Sequence, residues 1–202
     1  MQVAFMNQHS NTGIFSGTET TRYRYALKPE ERLTEGLNHW FHEMGYESAP
    51  AIDKNKLCIA IAGFEATARL EDTLSRWTQR ICSQAEPFSL EFNNFGGEPP
   101  HTLFLRIQDL SPICQLVSNL RKLDMYLTGN GKAPILPAAR CFLPVWEGVP
   151  LPRFENLLYR LGRAEFYLKV SVHSLLLQKL DRGRWVNVQH FSLCSSLSFQ
   201  MD

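Results

Sequence analysis

The sequence predicts an α+β fold of two pseudo-symmetric lobes, with antiparallel-rich sheets around a central cleft and helices outside. Three observations point there. A unit of strand, helix and hairpin occurs at 57–107 and again at 141–193. Each copy shows hydrophobic spacing that switches between the period of a strand and that of a helix. The chain, 202 residues with 44% hydrophobic content, has material for one substantial core or two small lobes sharing one.

Taken in order, Met1 to Thr21 is polar and rich in Asn, Ser, Thr and Gly, so residues 1–22 are expected to form an arm before a single bilobal domain at 23–202. Tyr23-Arg24-Tyr25-Ala26-Leu27 has strand composition, and Pro29 sits where a first helical turn tolerates it. Leu33, Leu37, Trp40, Phe41 and Met44 recur at helical spacing up to Gly45, a natural C-cap. Lys56-Leu57-Cys58-Ile59-Ala60-Ile61-Ala62 is apolar on both faces, as a central strand is. A helix beginning near Glu65 carries Ala66, Leu70, Leu74, Trp77 and Ile81 as its stripe.

Phe88 to Phe92 alternates with period two, Gly96-Gly97 and Pro99-Pro100 turn the chain, and Thr102 to Ile107 returns as a strand. Ser111-Pro112 opens a helix through Leu123, and 128–137 has loop composition. The second unit begins with Arg140-Cys141-Phe142-Leu143-Pro144-Val145-Trp146-Glu147. Pro150 to Pro152 introduce its helix, and strands on either side of Asp181-Arg182-Gly183-Arg184 form its hairpin. Duplication of this kind brings the two equivalent strands side by side near a pseudo-twofold axis.

Composition excludes several function classes. Lys plus Arg at 21 against Asp plus Glu at 20 leaves no strong field for nucleic acid or an anionic membrane without a local patch, and DNA is not expected as a partner. Five widely spaced cysteines without CxxC spacing read as reduced thiols of a cytoplasmic protein, not as a disulfide framework or zinc site. No apolar span or basic-then-apolar leader occurs, so neither a membrane span nor a secretory leader is expected. No metal and no cofactor are expected.

The element order resembles the 2H phosphoesterase superfamily of 2'-5' RNA ligases and cyclic phosphodiesterases. The resemblance runs from Tyr23 to about Leu193. It rests also on Phe88 to Phe92 followed by a Pro-rich turn and Thr102-Leu103-Phe104-Leu105, and on Ser174 to Leu180 before Gly183-Arg184-Trp185. The resemblance implies a His-x-Thr/Ser motif on each of the two equivalent strands. One histidine would act as base on the attacking oxygen and one as acid on the leaving oxygen, with hydroxyls two residues on holding phosphate oxygens. Aligned by strand, the first His position falls at Cys58 and the first Thr position at Ala60. The second pair falls at Val145 and Glu147.

Neither motif is present. Valine transfers no proton, alanine donates nothing to phosphate, and Glu147 brings negative charge. Each lost acid or base typically costs roughly 10²- to 10⁴-fold in rate. The expectation is a catalytically degenerate 2H-type protein whose cleft takes a small molecule, a nucleotide or an RNA end without turnover. Cys58, Trp146 and Glu147 are its candidate ligand-binding residues. Two alternatives stand beside it: a phosphodiesterase or hydrolase rewired onto Cys58 and Glu147, and an interaction protein whose cleft is filled by Trp146 and the loop 128–139.

Other candidates carry blander expectations. His101 reads as a solvated turn residue, His173 and His190 as cross-strand neighbours on a wetted face, and His39 with His42 as a helical pair lacking a third ligand. Trp40, Trp77 and Trp185 read as core. The small basic clusters read as solvated faces.

Overall fold

The computed structural model describes residues 20–45, 52, 57–98 and 101–194. The first strand, β1, spans Thr20–Pro29, so it starts inside the expected arm, whose first nineteen residues lie outside the described ones. Helix α1 (Arg32–Glu43) follows, then β2 (Ile59–Thr67) and α2 (Glu71–Cys82) after a 3-10 turn at Ala68–Leu70. The strand thus runs on where a helix from Glu65 was expected. Its apolar sequence leaves helix and strand open there, and pairing with β1 out to Thr20 opposite Thr67 decides for strand.

Strands β3 (Phe88–Glu98) and β4 (Thr102–Ile107) form the first hairpin. Helix α3 (Ser111–Leu120), a 3-10 turn at Arg121–Leu123, α4 (Asp124–Thr128) and the two-residue β5 (Leu136–Pro137) connect the units. The second unit supplies β6 (Phe142–Trp146), α5 (Leu151–Leu161), β7 (Tyr167–Asp181) and β8 (Arg184–Ser192). Arg182 and Gly183 both take positive φ in the two-residue turn between β7 and β8, the geometry that matches the strand twist there.

All strands join one eight-stranded sheet in the order β5-β2-β1-β7-β3-β4-β6, with β8 also on β7. The long β7 spans both halves. Along one edge it pairs with β1, and along the other with β3 near its start and β8 near its end. The hairpins are therefore exchanged: β6 of the second unit pairs with β4 of the first, while β7 of the second unit completes the sheet of β1 and β2. The sheet curls, and β2 and β6 come together as the duplication predicts.

Helices cover the outer face. Tyr23, Tyr25 and Leu27 of β1 are buried, and at α2 the Tyr23 hydroxyl donates to Glu71 Oε2 at 2.9 Å. Thr78 donates its hydroxyl proton to the Leu74 carbonyl, so the Tyr25 hydroxyl, 2.7 Å away, donates to Thr78 Oγ1. This pairing lets Thr78 face the core. The helix consequently buries Leu74, Thr78 and Cys82, and turns Trp77 outward, against expectation. Helix α1 closes the other half with Trp40 and Phe41 packed on Phe95 and Phe166. Among the described residues no helix is long and apolar enough to cross a membrane.

Candidate functional site

The concave face opposite the helices holds a cleft of about 660 Å³, and its floor follows from strand alternation. On β1, Tyr23 and Tyr25 point to the helices, so Arg24 between them points into the cleft. Cys58, just before β2, and Ala60 line one wall; Phe142 and Pro144 of β6 line the facing one. Gln178 of β7, Trp185 and Arg184 of β8, Arg140 and Glu147 complete the lining.

Arg24 is the organising residue. Its Nε donates to Gln178 Oε1 at 2.7 Å, its Nη2 to Cys58 Sγ at 3.7 Å, and its guanidinium lies 4.3 Å from the centre of the Trp185 ring. Gln178, only 5% exposed, is satisfied on both sides, since its Nε2 donates to Asn187 Oδ1 at 2.8 Å. An amide held at both ends fixes the arginine's plane. Burial pulls the Arg24 pKa below its ordinary value, while Cys58 and Glu147 pull it back up. The group stays cationic at neutral pH. Arg140 is held at the rim by Glu98, 3.2 Å away. Three arginines against Glu147 give the cleft a positive balance that whole-chain charge conceals.

Cys58 is poorly suited to nucleophilic chemistry. Burial raises its pKa, Arg24 opposes that shift, and Glu147 adds to it. The neutral thiol dominates at pH 7. Cys82, also buried, is pushed up to about 12. In an alkylation time course at neutral pH, the exposed Cys114 and Cys194 are expected to label first, with Cys58 and Cys82 lagging. Rapid labelling of Cys58 would restore it as a nucleophile.

The sequence-predicted residues are only partly brought together. Cys58, Ala60 and Glu147 line the cleft. Val145 and Trp146 instead face the core, at 8% and 5% exposure, and the Trp146 ring lies 4.7 Å from that of Phe41. The reason is a β-bulge. Leu103 pairs with Trp146 and Phe104 with Pro144, leaving Val145 as an extra residue, after which consecutive side chains share the inner face. Simple alternation fails across that point. By face, the β6 residues opposite Cys58 and Ala60 are Phe142 and Pro144, where strand counting pointed to Val145 and Glu147.

Arg24, Gln178 and Trp185 were not singled out for the cleft. Trp185, expected as core, is 37% exposed and carries Arg24. A signal existed in two places: a charge between buried tyrosines, and a glutamine after Leu175-Leu176-Leu177. The histidines lie elsewhere. His173 Nε2 is 2.7 Å from Glu30 Oε1, and His190 pairs with Leu176, so the two do not face each other. His39 lies against Glu43 at 3.3 Å. His101 is half-buried with its ring edge-on to Phe154, instead of solvated.

A curled antiparallel sheet, helices outside and a cleft between two equivalent strands define the 2H phosphoesterase fold, and this chain has it. Among solved structures, it is similar to LigT of E. coli. The ATP complex of LigT matches with a TM-score of 0.53 and 19% identity over 87% of this chain and 99% of LigT. The LigT complex with 3'-AMP gives a TM-score of 0.56 at 18% identity, with the same coverage of 87% and 99%. TT0787 of Thermus thermophilus gives 0.56 at 15% identity, again over 87% of this chain and 99% of that one. No protein-family model matches the sequence, and no curated protein matches it significantly.

Proposed function

We propose that this chain is a catalytically degenerate relative of the 2'-5' RNA ligases and cyclic phosphodiesterases, one that binds a phosphate-bearing ligand in its cleft without phosphoester turnover. One observation carries the reading: among the described residues, the cleft lining contains three arginines but no imidazole and no hydroxyl side chain. A phosphate there meets charge and hydrogen-bond donors, without the pair of imidazoles that would take and return a proton on its two sides. Whichever β6 residues are matched to the second motif, Phe142 and Pro144 or Val145 and Glu147, the acid/base pair is missing.

The ligand class we favour is a nucleotide or an RNA end. The arginines suit its phosphate, and the apolar wall of Phe142 and Pro144, with Phe104 stacked behind Phe142 at 4.4 Å, suits a flat base. Solved structures of LigT hold ATP, 3'-AMP and NADP+, which agrees with that class. The rewired-enzyme reading loses support from the protonated Cys58. The filled-cleft reading loses support from Trp146, which packs inward, and from the loop 128–139, whose residues are absent from the lining. A cytoplasmic location accompanies the proposal, as all five cysteines are free thiols.

The test pairs two measurements on the full chain. Nucleoside phosphates and 3'-phosphorylated RNA ends are expected to raise the melting temperature with saturation, while 2',3'-cyclic nucleotides remain unhydrolysed. Turnover that disappears on Cys58→Ala or Glu147→Ala would overturn the proposal in favour of a rewired enzyme. No thermal shift with any phosphate-bearing ligand would remove the binding role.

A further inference from the structure

A second surface lies on the outside of the fold, away from the cleft. Helix α2 buries Leu74, Thr78 and Cys82 and so presents Trp77 outward, with the half-buried Ile81 beside it, next to α4 with Met125 and Tyr126. The two helices enclose a hollow of about 180 Å³, room for one large apolar side chain. Arg80 and Lys122 stand at its edge, and among the described residues no acidic side chain lines it. Trp77 is 36% exposed and Met125 67%.

Single exposed apolar residues are ordinary on any surface. Here aromatic, methionine and cationic side chains from separate elements converge on one hollow, the composition that marks binding surfaces. Charge selects the partner. A rim of one sign repels basic surfaces and attracts acidic ones, while the apolar floor needs an anchor to fill it. The Trp77 ring already carries Tyr126, tilted by 31° at 5.5 Å, and the Arg80 guanidinium at 5.3 Å. A ring engaged in this way is a poor stacking platform for nucleobases, which favours a protein ligand over single-stranded RNA.

We propose that the α2–α4 hollow is a docking site for an acidic peptide segment of a partner protein, one large apolar side chain entering between Trp77 and Met125 and flanking carboxylates meeting Arg80 and Lys122. The site is independent of the cleft. It gives the chain a means of joining an assembly.

The test is a selection of displayed random peptides on the full chain, followed by anisotropy titration of those enriched. The expected winners carry Asp or Glu on both sides of a Leu, Phe or Trp. Their affinity is expected to fall with salt, and by at least about tenfold on Met125→Glu or on the pair Arg80→Glu with Lys122→Glu. Met125 is exposed, so its replacement leaves folding intact, checked by an unchanged melting temperature and unchanged nucleotide response. Winners without acidic residues, or binding indifferent to Met125→Glu, overturn the proposal. So does an oligonucleotide that binds this surface and is lost on the same charge reversals. A concentration-dependent dimer broken by Met125→Glu, without peptide binding, replaces it with self-association.

Discussion

Replacing Arg24 with methionine is expected to weaken binding of a phosphate-bearing ligand to the cleft by about 10- to 100-fold. A hydrogen bond to a charged group contributes about 1.5–3 kcal/mol, and each 1.4 kcal/mol is a factor of about ten. Methionine keeps the apolar stem of the arginine but ends where the guanidinium begins, so charge, donors and the stacking on Trp185 go together. The freed Gln178 carbonyl adds a small loss of stability, about 1 kcal/mol, which a denaturant titration separates from the binding effect. Calorimetric titration with a nucleoside monophosphate at two salt concentrations gives the reading. Wild-type affinity should fall with salt, and the variant should show a weaker dependence. An unchanged dissociation constant would move the phosphate site elsewhere.

Trp146→Ala should produce the opposite pattern. The side chain is buried against Phe41, and removing a buried tryptophan typically costs about 3–5 kcal/mol through lost transfer energy and the cavity left behind. Chemical denaturation should show a lower midpoint at unchanged slope. Under conditions where the variant is still folded, its ligand affinity should match the wild type, because the ring faces away from the cleft. A small stability loss with a large loss of affinity would mean that Trp146 walls the cleft after all.

These contrasting expectations mark what could be read from residues alone. Element order, both hairpins and the missing histidines were legible, since each depends on local periodicity or on residue type at a position. Phe88 to Phe92 needs only alternation, and the start of α3 only a proline that a first helical turn tolerates; the cap itself falls on Leu110, one residue before the expected Ser111, with no side-chain cap bond. The exchange of hairpins between halves was not legible, because a strand's neighbours depend on long-range pairing that periodicity does not encode. The side-chain directions of Val145 and Trp146 were hidden for a related reason. One extra residue in β6 shifts facing by a step, and only the register with Leu103 and Phe104 reveals it. Arg24 was legible as a charge in a strand, yet its role needed Gln178 and Trp185 from the far end of the chain. Trp77 was misplaced because a hydrogen-bonded threonine can face a core as well as an apolar residue does.

The exchange of hairpins bears on how the molecule folds and moves. Neither half of the sequence holds the strands that complete its own half of the sheet, so a fragment ending before β7 would leave β1 paired with β2 on one edge only and β3 without β7, which couples the two halves in folding. The same ribbon couples the cleft walls mechanically. Pairing along one edge of β7 passes from β3 to β8 at Val172–Ser174, and a motion that opens or closes the gap between β2 and β6 has to flex the sheet at that joint.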